Sequence, residues 1–117
     1  MIALEALYAS DARGEAPDPA DLPARSARLV AGVGDHLDSL DAEIAGAASG
    51  WRIERMPAVD RNILRLGLYE LRYTDTPVGV VISEAVEIAK TYSTERSGSF
   101  VNGILGALVE DPPGPSQ

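Results

Sequence analysis

Glu70 is the residue of this chain hardest to account for by packing. On a helix read from Ala58 to Tyr73, it projects into the middle of the side made by Val59, Ile63, Leu66 and Tyr73. An ionised carboxylate on an apolar face must find a cation or keep to a wet edge, because burial alone costs several kcal/mol. Two readings stand: an internal pair with an arginine, or an acid that meets a cation on another protein. On the same helix Arg61, Arg65 and Arg72 project within about 40° of one another as a basic stripe. The residue types that support catalysis are scarce. His36 is the sole histidine and, with no cysteine in the chain, suits a surface or capping role. The series Asp35, Asp38 and Asp41 has a spacing that could suggest magnesium, yet it reads as a solvated helix face. No phosphate-binding loop, dinucleotide turn or recognisable acid–base set is present, so no enzyme, no cofactor and no metal are expected.

The elements that must carry these residues are helical. Residues 1 to about 13 form a first helix, and Gly14 to Pro23, with three prolines, a loop. A long helical stretch from about Ala24 to Ser49 breaks near His36, where Asp38 or Ser39 could cap a second helix. Gly50 fits a left-handed cap after it. The helix from Ala58 to Tyr73 is apolar on two sides, with Leu64, Leu68 and Leu71 opposite the Glu70 side, so it belongs at the centre of a bundle. From Val78 to Tyr92 the apolar residues occupy one arc, and this outweighs the strand-like run Val80-Val81-Ile82. Phe100, the only phenylalanine, stands at the edge of a last helical face with Val101, Ile104, Leu105, Leu108 and Val109, just after a Ser97 or Ser99 cap; such a residue is most often a core anchor. Gly103 and Gly106 lie on the back, where the close approach of another backbone or of a ligand would explain them. Residues 1–110 read as one domain and 111–117, with three prolines, as a disordered tail.

The bulk numbers set limits. No apolar run approaches the length of a membrane span and no signal peptide is visible, so a cytoplasmic protein is expected. A net charge of −8 argues against free-standing nucleic-acid binding. The charge is uneven: residues 1–50 hold three arginines against nine acids, whereas residues 51–100 hold seven basic residues against seven acids. Any anion-binding face belongs to the second half.

The series Trp51-Arg-Ile-Glu-Arg-Met56, Asp60-Arg-Asn-Ile-Leu-Arg-Leu-Gly-Leu-Tyr-Glu-Leu71, Ser83-Glu-Ala-Val-Glu-Ile-Ala-Lys90 and Phe100-Val-Asn-Gly103, in that order, resembles the NusB family of transcription antitermination factors. The likeness runs from Ala3 to Leu108. It implies an all-α fold, a compact bundle of about seven helices in two sub-bundles. It also implies an accessory transcription factor that pairs with NusE, a small-subunit ribosomal protein, and binds boxA-type single-stranded RNA in ribosomal RNA transcripts, acting on the RNA polymerase elongation complex indirectly. In that family Tyr8 and Glu70 would face the partner. Phe100 would offer its ring to a base, Asn102 a hydrogen bond to a base edge, and Lys90 and Arg96 their charge to phosphate. The chain departs from the family in starting at Met1-Ile2-Ala3-Leu4 without the usual arginine-rich lead, and in carrying Arg96 where an acid is common. Two other functions compete: a helical interaction module or homodimer with no RNA role, and the RNA-binding front of a ribosomal RNA cytosine methyltransferase.

Overall fold

A computed structural model describes residues 1–110, with only the backbone of Glu110; the tail expected at 111–117 lies outside the described residues. Six α-helices follow one another: α1 (Ile2–Ala12), α2 (Ala24–Asp35), α3 (Leu37–Ala47), α4 (Ala58–Tyr73), α5 (Val78–Tyr92) and α6 (Glu95–Glu110). A single 3₁₀ turn at Ile53–Arg55 precedes α4, and the described residues contain no strand. The all-helical class stands, with six α-helices in place of about seven.

Three of the helices open directly after a proline. Pro23, Pro57 and Pro77 hold φ between −54° and −57° with extended ψ, so each turns the chain sharply into α2, α4 or α5. His36 alone separates α2 from α3, and no side chain caps either end there. Asp38 and Ser39 therefore lie inside α3 rather than capping it; the Ser39 hydroxyl donates back to the His36 carbonyl at 3.0 Å. Beyond α3, Gly50 does take the left-handed conformation, at φ 82°, two residues past the Ala48 cap. The turn it permits is closed by the Trp51 amide donating to the Ala48 carbonyl at 2.8 Å.

The last helix begins earlier than expected. Thr94 caps it, its hydroxyl accepting from the Ser97 amide at 3.0 Å, three residues on. Ser97 thus sits within the first turn, buried, and its hydroxyl is spent on Asp60.

α4 touches every other α-helix, as a helix apolar on two sides must. On one flank it packs α1, α2 and α3; on the other it packs the α5–α6 hairpin. The core is Leu4, Leu7, Val30, Val33, Leu40, Ile44, Leu64, Leu68, Val101 and Leu105, each at most 4% exposed. Along α5 only Val81, Ala85 and Ala89 are buried, while Val78 and Tyr92, at the two ends of the helix, and Val80, outside its apolar arc, stay exposed. Gly103 and Gly106 adjoin open space rather than a close neighbour. The close approaches fall elsewhere: Gly32 lies under the Tyr69 ring, and Gly98 lies under the Lys90 stem, 2.9 Å from where a Cβ would stand.

Candidate functional sites

The basic stripe of α4 does not face solvent. The Arg61 Nε donates to Asp11 Oδ2 at 2.8 Å, and its Nη1 reaches the Ile53 and Met56 carbonyls. Arg65 grips Asp41 with two parallel bonds of 2.8 and 2.9 Å, and also donates to Asn62 and Asp11. Arg72 holds Glu43 at 2.7 Å and the Leu108 carbonyl at 3.2 Å. All three arginines are half-buried, and each takes its acid from the first half of the chain. Burial pushes the Asp11 carboxyl up, but the bonds from Arg61 and Asn62 outweigh it and hold the group below its ordinary value. Of the aspartate series, Asp41 is committed to Arg65, and no group of three potential metal ligands occurs among the described residues. His36 stacks on Tyr73, ring centroids 4.1 Å apart.

Glu70 is 7% exposed, too buried for a surface acid. Its nearest cation is Arg25, with Nη2 at 4.0 Å from Oε2, the longest ion pair among the described residues. Arg25 itself is largely in solvent. Burial pushes the Glu70 carboxyl above its ordinary value; Arg25 opposes this only in part, and Glu84 adds to it. Of the two readings, the internal arginine exists but leaves the carboxylate loosely held. Glu70 lines a small cavity with Leu4 of α1, Leu66 of α4, and Val81, Glu84 and Ile88 of α5. Tyr8, 44% exposed, sits one turn beyond Leu4 on α1 and outside that cavity.

At the other end of α4 the side chains expected to meet RNA divide between two grooves. Phe100 and Arg96, one turn apart on α6, line a recess of about 270 Å³ together with Trp51, Pro57, Asp60 and Ser97. Lys90 and Asn102 line a separate, wider groove between α5 and α6 with Glu87, Glu95 and Ser99. Phe100 is half-buried and meets Trp51 edge to face, centroids 5.5 Å apart at 62°. Arg96 and Asn102 are exposed, and the exposed Lys90 leans to Glu87 at 3.9 Å.

Two residues of this end escape a reading by periodicity. Trp51 lies in a connection with no helical repeat, although a lone tryptophan beside a glycine turn is itself a signal. Asp60 looks like an ordinary first-turn acid of α4, yet it is 3% exposed. Its Oδ2 accepts from Ser97 at 3.0 Å, while its Oδ1 is the one fully buried side-chain polar atom among the described residues without a hydrogen-bond partner. Burial pushes this carboxyl up too, relieved only in part by Ser97 and Ser93.

Six α-helices among the described residues, five of them packed around the shared central α4, define a small all-helical domain. The NusB family model matches residues 2–110, and the chain belongs to that family. It is 44% identical to the transcription antitermination protein NusB of a Nocardioides species, over 95% of this chain and 90% of that one. It is 40% identical to the protein of the same name from Anaeromyxobacter dehalogenans, over 95% and 87%. Among solved structures it is similar to T. maritima NusB, with a TM-score of 0.83 and 35% identity over 93% of this chain and 86% of that one. It is also similar to the NusB of a crystal structure of antitermination factors NusB and NusE in complex with dsRNA, with a TM-score of 0.80 and 30% identity over 92% and 90%.

Proposed function

We propose that this chain is a transcription antitermination factor that works by composite binding. Residues 1–110 act as one domain, which pairs with NusE through the Glu70 side of α4. The pair then captures boxA-type single-stranded RNA at the Phe100 end, in the cytoplasm, and the role is binding rather than catalysis. The observation that carries this reading is the likeness to the NusB of a complex that holds NusE and dsRNA. The geometry is in keeping with it. A carboxylate whose own cation, Arg25, stands 4.0 Å away and largely in solvent gains from a cation supplied by a partner. A half-buried ring beside an exposed arginine suits an unstacked base and its phosphate.

A second reading draws on the arginine network. With Arg61, Arg65 and Arg72 neutralised internally, the surface keeps few cations for RNA, as suits a helical interaction module or homodimer. A gel mobility shift with boxA RNA separates the two. Expected is weak retardation by the chain alone and a sharp complex once NusE is added. No capture with NusE present would leave the interaction module.

A further inference from the structure

We propose that the recess between Trp51 and Phe100 is a slot for one unpaired nucleobase bearing an exocyclic amino group, with Asp60 as the residue that selects it. The slot deepens the RNA-binding reading and rests on it. Two aromatic rings in edge-to-face contact form one side of it, and Trp51 is 49% exposed, so a flat ring can enter from solvent and lie on a π-face. The rest of the lining is Pro57 and the polar residues Asp60, Ser93, Thr94, Arg96 and Ser97, so an aromatic wall faces placed polar groups. One of those groups is Asp60. Its Oδ2 is spent on the Ser97 hydroxyl, and Ser97 is in turn bonded to Ser93 and Thr94, so the carboxylate is fixed in place. Its Oδ1 is left buried with nothing donating to it, an expensive condition that a bound N–H would relieve. A second is Arg96, exposed and without an ion pair among the described residues, one turn before Phe100 on the same face of α6. It stands where the phosphate of a base seated in the slot can be neutralised.

The chemistry discriminates among bases. A carboxylate oxygen only accepts, and adenine, cytosine and guanine each present an amino group to it. Uracil offers a single N–H between two carbonyl oxygens, whose lone pairs would face the carboxylate. The slot therefore ranks amino-bearing bases above uracil. A base in it contacts Asp60, Trp51, Phe100 and Arg96, and the Lys90–Asn102 groove takes no part.

Trp51 is the only tryptophan, so its emission reports this recess alone. The full chain is titrated with single-stranded hexamers of adenylate, cytidylate and uridylate. Expected is quenching by the first two at concentrations about tenfold lower than by the third. In Asp60→Asn the Ser97 hydroxyl keeps the amide oxygen, so an amino group replaces Oδ1 and the order turns toward uridylate. Phe100→Leu weakens all three severalfold and keeps the wild-type order. Should Asp60→Asn fail to fold by circular dichroism, the wild-type order and Phe100→Leu decide the matter. Equal quenching by the three hexamers, or uridylate first, overturns the slot. Quenching by a phenylalanine-containing peptide and by no hexamer would make the recess a protein-docking pocket and overturn it equally. If the mobility shift with NusE succeeds while Trp51 emission stays unmoved, the slot falls and the RNA-binding reading stands; if neither responds, both fall.

Discussion

Asp11, Glu70 and Asp60 are three acids that meet the core in different ways, and their pH behaviour separates them. Asp11 is held below its ordinary value by Arg61 and Asn62. Its stabilising effect is present above the unfolded value near 3.8 and is lost as the pH falls through the lower folded value. Glu70 and Asp60 have raised folded values, so each is a cost to the fold at neutral pH, and the cost disappears as the pH falls below the unfolded value. Glu70→Gln should therefore be more stable than the parent at pH 7, with the gain shrinking to nothing below about pH 4.5, as followed by denaturant titration across pH. A variant less stable at pH 7 would show that Glu70 is a paired core acid after all. Breaking the bidentate pair should do the reverse: Arg65→Ala should cost about 2–4 kcal/mol by urea unfolding, since Asp41 is left half-buried and unpaired. A loss under about 0.5 kcal/mol would mean that water already screens the pair.

At the scale of the elements, much was legible in the sequence because helical period and burial agree. The segment 78–92 is a helix despite three β-branched residues in a row, since its arc has Val81, Ala85 and Ala89 to set against α4 and α6. The arginine stripe was legible as a stripe but not in its direction. On a helix that packs neighbours all round, projection cannot say which flank meets solvent, and the partners Asp11, Asp41 and Glu43 come from 24 to 54 residues away. The start of α6 was misplaced because serines at 97 and 99 resemble caps as well as Thr94 does, and only the bond to the Ser97 amide distinguishes them. The glycines carry a further prediction. Gly32→Ala drives a methyl into the Tyr69 ring between α2 and α4 and should cost at least about 2 kcal/mol. Gly103→Ala meets open space inside α6 and should instead stabilise by about 0.5–1 kcal/mol. Thermal melts of the pair check this; similar losses in both would contradict the packing described. If Gly103→Ala is more stable yet binds RNA less well, the glycine is kept for the ligand's approach.

For the molecule as a whole, charge is sorted by position. The acids of the first half neutralise the inner arginines of α4, which leaves Arg96 and Lys90 among the few outward cations near the Phe100 end. The chain alone should then engage only about two or three phosphates of a single strand, so its affinity should fall with salt at a log–log slope no steeper than about −2. A steeper slope in fluorescence anisotropy would reveal a basic surface not recognised above. Composition could not foretell this arrangement, because −8 is a sum and the sum hides where the cations point. The family motifs carried the functional reading, while the division of Phe100 and Arg96 from Lys90 and Asn102 into two grooves emerges only in three dimensions. The claim on which the rest depends is that the loosely paired Glu70 carboxylate is completed by a cation from NusE. Calorimetric titration of NusE into the wild-type chain and into Glu70→Gln tests it directly. Expected is a one-to-one complex with the wild type and binding at least about tenfold weaker with the folded variant. Equal affinity for the two, or no heat of binding with the wild type, would contradict it.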